Sequence, residues 1–248
     1  MNLVRNRLFA ALLVLAPAAG LLVGSPAQAA DLNVTVKSVS LSRSTLVLGS
    51  KARCTPVTVT AKLSAPMPAV KEGFSGVGVD IYEPGTGDIV KGEEIKRVGS
   101  SATYRGSVKF CGADVAGRYI ARVYGVYAPK SEDDFDYVTT NVVSRSIYLK
   151  RPSSLSLNAT PEPVRKGKKL TAKGVLKING KAFAGAAVRV YFKADGASAY
   201  TYKGAAKTNA KGAYSKAFTA TRSGTWKSVY AGSNARDAAS AVDGVQVR

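Results

Sequence analysis

Apolar and polar residues alternate one for one in short runs along this chain, and no stretch sustains the period of a helix. Leu32-Val34-Val36, Val57-Val59-Ala61-Leu63, Val77-Val79-Ile81, Tyr104-Gly106-Val108-Phe110 and Tyr119-Ala121-Val123 alternate in the first half. Leu155-Leu157, Val188-Val190-Phe192, Tyr214-Lys216-Phe218 and Trp226-Ser228-Tyr230 do so in the second. Successive side chains of a strand point to opposite faces, so each run buries one face and wets the other. Gly, Asn, Asp and Pro punctuate the runs, and Asn179-Gly180, Asp195-Gly196 and Lys211-Gly212 are turn signals. Short strands at about ten-residue spacing predict an all-β antiparallel sandwich.

The pattern occurs twice. Val79-Asp-Ile81-Tyr82 matches Val188-Arg-Val190-Tyr191, and Phe110 with Gly117-Arg-Tyr119 matches Phe218 with Gly224-Thr-Trp226. A looser match pairs Gly49 with Gly167. The offset falls by nine between the Gly49/Gly167 and Val79/Val188 markers. About nine extra residues are therefore expected in the first repeat near 64–78 (SAPMPAVKEGFSGVG), which reads as a loop. The boundary is expected at Lys150-Arg151-Pro152-Ser153-Ser154, giving domains 30–150 and 151–248.

Residues 1–29 read as a secretory signal peptide. Arg5 and Arg7 precede an apolar run from Leu8 to Val23, and Ala27 and Ala29 suit signal peptidase, so cleavage is expected after Ala29. The run falls short of the roughly 20 residues of a spanning helix and contains Pro17 and Gly20, so no membrane span is expected. Arg5 and Arg7 are not adjacent, which favours the general secretory route. Export sets Cys54 and Cys111 in an oxidising compartment, where they are expected to form one disulfide. A redox pair would place them two residues apart, and these are 57 apart. Closing that loop stabilises a fold by about 4 kcal/mol in the chain-entropy model. Cys54 begins the second predicted strand and Cys111 ends the fifth. These are antiparallel neighbours in an immunoglobulin-type order, so the bridge should lie within one sheet, unlike the antibody bridge between sheets.

Pro161-Glu-Pro-Val164-Arg-Lys-Gly167, Gly185-Ala-Ala-Val188-Arg-Val190-Tyr-Phe192, Thr208-Asn-Ala-Lys-Gly212-Ala-Tyr214-Ser215 and Ser223-Gly-Thr-Trp226-Lys-Ser-Val-Tyr230-Ala-Gly232 resemble immunoglobulin-like repeats in secreted proteins of high-GC Gram-positive bacteria (actinobacteria). The likeness covers most of 152–248. The first half shares it through Gly117-Arg-Tyr119, and Asp114 before Gly117 resembles the corner preceding a core Tyr in immunoglobulin domains. The resemblance implies two tandem immunoglobulin-like antiparallel β-sandwich domains after the signal peptide. Such repeats serve as spacers, adhesive modules and attachments to enzymes, so the resemblance implies no catalytic residues.

Composition points away from catalysis. The chain has no His, which removes the commonest general base and the Ser-His and Cys-His nucleophiles. It contains no Ser-x-x-Lys. Glu93 and Glu94 are adjacent and would point to opposite faces of a strand, whereas glycosidases need two carboxylates flanking one cleft. No cofactor is expected, and two Cys cannot make a Cys₄ zinc site. Ser131-Glu132-Asp133-Asp134-Phe135-Asp136 has the carboxylate density of a calcium loop without its Gly and Glu spacing, and reads as a solvated loop.

Charge is the strongest remaining signal. Residues 30–150 carry 16 basic and 12 acidic residues, net +4; residues 151–248 carry 18 and 4, net +14. A domain at +14 attracts polyanions, which outside a Gram-positive cell are teichoic acids, acidic lipid headgroups or acidic polysaccharides. The densest run is Arg165-Lys166-Gly167-Lys168-Lys169, continued by Lys173 and Lys177. Lys166, Lys168, Lys169 and Lys173 are the candidate contacts, against the plainer reading of a solubilising surface. Tyr191, Tyr200 and Tyr202 with Lys193 and Lys203 could stack bases and hold phosphate. Aromatic residues on neighbouring strands are ordinarily cross-strand pairs, and an exported protein seldom meets DNA, so no nucleic-acid partner is expected. The expected role is binding or structure at the cell surface or in the medium. The rival is an inhibitor of a secreted hydrolase, inserting the 64–78 loop with its Pro66 and Pro68.

Overall fold

The computed structural model describes residues 32–129 and 137–248. The signal-peptide reading of 1–29 and the acidic run 131–136 lie outside the described residues. The chain divides into two compact units between Tyr148 and Leu149. Among the described residues it is all strand and turn.

In the first unit, β1 (Val36–Leu41), β3 (Cys54–Leu63) and β6 (Thr103–Cys111) pair in the order β1-β3-β6. The other layer runs β5 (Ile89–Arg97), β4 (Phe74–Tyr82), β7 (Gly117–Ala128), β9 (Val143–Lys150) and β2 (Thr45–Val47), with β8 (Val138–Thr139) beside β7. β5 joins the layers. It pairs with β4 from Ile89 to Ile95, and Lys96 and Arg97 then pair with Arg105 and Tyr104 of β6. This is the immunoglobulin-type sandwich. The alternating residues meet between the layers: Val57, Val59, Val77, Val79, Ile81, Val108, Phe110, Ala121 and Val123 are buried.

The second unit repeats the plan. β10 (Ser153–Leu155) and β11 (Asn158–Thr160) pair with one edge of β12 (Lys169–Ile178), and β16 (Ala213–Thr219) pairs with the other. β13 (Lys181–Ala182) folds back on β12 through Asn179-Gly180, whose φ angles of 50° and 76° are those of a tight hairpin turn. The facing sheet runs β15 (Thr201–Lys207), β14 (Ala187–Ala194), β17 (Gly224–Tyr230), β18 (Ala239–Val245).

Tyr119 and Trp226 occupy equivalent places. Each is third in its strand after a buried Gly, and they are 1% and 5% exposed. Tyr119 meets Phe110 edge-on at 5.6 Å, and Trp226 lies 4.7 Å from Phe218 and 4.9 Å from Phe192. The Tyr119 hydroxyl donates to the Val115 carbonyl at 2.9 Å, tying the β6–β7 corner. Asp114 in that corner accepts from the Cys111 N–H and pairs with Lys91 at 3.2 Å.

The 64–78 segment differs from the expected loop. Phe74 to Gly78 belong to β4 and pair with β7 from Ala128 to Tyr124. Gly73, Gly76 and Gly78 break the apolar alternation in the sequence, but backbone pairing requires no side chain there. Register also redistributes the nine extra residues. Phe110 faces Thr55 as Phe218 faces Leu170, so six of the nine lie between β3 and β4 and three lie in the approach to β3.

Candidate polyanion-binding surface

Cys54 and Cys111 are bonded across β3 and β6, within one sheet. The Gly112 N–H donates to the Arg53 carbonyl beside them, so the two form a non-hydrogen-bonded pair, the closer of the two antiparallel spacings. Their Cα atoms are 3.8 Å apart.

The four candidate lysines lie on one side of the second unit. Lys166 and Lys168 flank Gly167, whose φ of 80° closes a turn in which the Lys168 N–H donates to the Arg165 carbonyl. The turn is tied down by bonds from the Gly167 N–H to Ala220 and from the Lys166 N–H to Arg248. Lys169 opens β12 opposite Thr219, and Lys173 lies between Asn158 and Ser215. Leu170, Ala172 and Leu176 point into the core, so Lys169, Lys173 and Lys177 point outward at a spacing of roughly 13 Å. All five lysines are exposed, and the facing register positions hold Asn, Ser, Ala and Thr rather than carboxylates.

A second basic surface lies on the opposite sheet. Tyr191 and Tyr202 are cross-strand partners with ring centroids 5.5 Å apart. Lys193 and Lys227 each place Nζ over the Tyr200 ring, at 5.4 and 5.3 Å from its centroid. Lys203, which the sequence grouped with these tyrosines, instead lines a cleft of about 340 Å³ floored by Leu170, Phe192, Phe218 and Trp226. Lys203 follows Tyr202 directly and so points to the opposite face; it is also the extra residue of a bulge, since Val190 faces Gly204 while Tyr191 faces Tyr202. Gly204 adopts a φ of 142°, a conformation other residues rarely take. Period-two alternation fails only beyond the bulge, where Ala205 comes opposite Arg189, and Lys227 reaches the tyrosine face from β17.

In the first unit the 64–73 segment is held down. Met67 is buried, and its N–H donates to the Tyr104 hydroxyl at 2.8 Å. Glu93 and Glu94 lie on β5 opposite Val79 and Gly78. Asp80, on β4, is fully buried; the Tyr124 hydroxyl donates to its Oδ2 at 2.7 Å, and its Oδ1 has no hydrogen-bond partner among the described residues. Burial raises the carboxyl to about 6, against the lowering effects of the Tyr124 hydrogen bond and the Arg122 charge. Burial, then the Asp80 carboxylate, pushes the Tyr124 phenol up in turn. Among the described residues no group of three or more His, Cys, Asp or Glu comes together as a metal site. No helix among them is long and apolar enough to cross a membrane.

No protein-family model and no curated protein matches the chain. Solved structures similar to it include trypsin-activated alpha-2-macroglobulin from Escherichia coli, with 10% identity and a TM-score of 0.30 over 84% of this chain and 15% of that one. The fibronectin(III)-like modules of Clostridium thermocellum CbhA show 15% identity and a TM-score of 0.33 over 85% and 95%. A DUF4785 family protein of Legionella pneumophila shows 13% and 0.39 over 77% and 52%. The strand order and register described above carry the assignment of both units as immunoglobulin-like sandwiches.

Proposed function

We propose that this is an exported, non-catalytic binding or structural protein of the cell surface or extracellular medium, whose basic second unit contacts anionic wall polymers. The observation that supports this most is the exposed lysine row. Lys166 and Lys168 in a tethered turn lead into Lys169 and Lys173 on one outward face, with no carboxylate opposite them in register. A row of exposed cations, without an ion-pair partner among the described residues, suits an extended polyanion, which gains one contact per charge. The Cys54–Cys111 bond supports an oxidising, extracellular setting. The motifs in 161–232 that resemble actinobacterial repeats support a high-GC Gram-positive source and domains at 30–150 and 151–248.

The test is retention of the full chain on purified Gram-positive cell wall before and after its anionic polymers are extracted. Retention lost on extraction is the expected result. Equal retention on extracted wall would leave the lysines as a solubilising surface. A parallel panel of secreted hydrolases tests the inhibitor reading.

A further inference from the structure

We propose that the outer face of the β15-β14-β17-β18 sheet binds an anionic polysaccharide, with Tyr191, Tyr200, Tyr202, Lys193 and Lys227 as its contacts. This rests on reading the second unit as a polyanion-binding module, and gives that module a separate surface and a sugar ligand.

The face follows from register. One row across the sheet is Tyr202-Tyr191-Lys227-Val242, and the row beside it is Ala205-Arg189-Val229-Ser240. Lys193, Thr225 and Gly244 make up a third, with Tyr200 packed over its lysine, and Lys207 faces Ala187 at the other end. These positions hold three phenols, four cations and no carboxylate. None of the four cations is ion-paired among the described residues. The core does not need these groups, because Val188, Val190 and Phe192 supply the buried side of β14.

Two observations point to a ligand. Lys193 and Lys227 converge on the single Tyr200 ring. Each gains from the ring's π-electrons, but the two ammonium groups repel one another, and an anion bound beside them relieves that repulsion. Tyr202 is 55% exposed and Val242 60%, so apolar surface lies open in the same row as the charge. Small residues (Ala187, Ala205, Ser240, Gly244) flank that row and leave a flat surface. Four strands span roughly 14 Å, enough for consecutive rings of a polymer laid across them. A pyranose carrying a carboxylate, sulfate or phosphate offers both an apolar ring face for the phenols and an anion for the lysines. Nucleic-acid bases also stack on tyrosines. The disulfide, however, supports an extracellular setting, where acidic polysaccharides are met more often than nucleic acid.

The experiment uses the full chain and three probes: polygalacturonate, its methyl ester with the same rings and no charge, and a single-stranded oligonucleotide. The expected order is polygalacturonate well above the ester and the oligonucleotide, with part of the affinity surviving about 0.5 M salt because ring stacking is not screened. Tyr202→Ala, and separately Lys193→Gln with Lys227→Gln, should each weaken polygalacturonate binding about tenfold with unchanged melting curves. Changing Lys166, Lys168, Lys169 and Lys173 together to Gln should alter it by no more than about twofold, since Lys169 and Lys173 lie on the other sheet and Lys166 and Lys168 in the turn that leads into it. Equal binding of the ester, tighter binding of the oligonucleotide, or parent-like affinity in both face variants would overturn the proposal. Retention on cell wall without polygalacturonate binding sinks this proposal alone. Loss of wall retention with intact polygalacturonate binding sinks only the wall-polymer reading.

Discussion

The Tyr124 hydroxyl donates a 2.7 Å hydrogen bond to Asp80 Oδ2, and the other oxygen of that buried carboxyl has no hydrogen-bond partner among the described residues. One hydrogen bond does not replace the hydration that Asp80 loses on folding, so the folded state favours the protonated form.

The pH consequence has a definite sign. The carboxyl titrates near 6 in the folded unit against an unfolded value of 3.8. Between these values the folded state holds the extra proton. Its contribution to stability is therefore greatest below about pH 4 and is lost as pH rises through 6. Asp80→Asn should stabilise the first unit at pH 8 by on the order of 2 kcal/mol, and the gain should vanish by pH 4. Denaturant unfolding of variant and parent across that range measures it; a constant difference would mean that Asp80 titrates normally.

Trp226→Ala should destabilise the second unit by roughly 3–5 kcal/mol, the range for truncating a large buried aromatic. Trp226 packs between Phe192 and Phe218, and this unit has no disulfide. Circular dichroism should show the second unit's transition moving while that of the first stays in place. Loss of less than about 1 kcal/mol would mean that the cleft beside Trp226 lets the core collapse around the gap.

Replacing Cys54 and Cys111 together by Ala should cost the first unit up to about 4 kcal/mol. The two cysteines stand 57 residues apart, which sets the closed loop. The second unit's transition should not move, and reductant should reproduce the effect in the parent. Urea titration with and without reductant reads both.

Changing Lys166, Lys168, Lys169 and Lys173 together to Gln should shift elution from a polyanion resin to lower salt while leaving the melting curve in place. All four are exposed, and exposed charges act over about 8–10 Å near physiological salt. Elution at the parent's salt concentration would remove these lysines from the contact.

Legibility in the sequence followed burial. Strands with one fully buried face, such as Val57–Leu63 and Val188–Phe192, announce themselves by alternation. The pairing of Cys54 with Cys111, the Asn179-Gly180 hairpin and the matched places of Tyr119 and Trp226 follow from the same pattern. Strands that bury little carry no such alternation: β5 has Ile95 as its one buried side chain, and exposed β15 and β18 read as Lys-Gly-Ala and Ala-Ser-Ala. The bulge that leaves Lys203 without a register partner depends on pairing with β14. Asp80 gave no signal, because an acid inside an alternating run looks the same whether its outward face is wet or covered.

The bulge opposite Val190 and Tyr191 has a second effect, on the rim of the sheet. β15 is an outermost strand, and a straight outermost strand displays a row of N–H and C=O groups on which another polypeptide can template itself. Here the spacing of those groups is broken at Lys203 and Gly204, and Lys203 and Lys207 would leave an incoming strand with charges to desolvate. The irregularity that aligns Tyr202 with Tyr191 thus also guards the second unit against edge-to-edge aggregation.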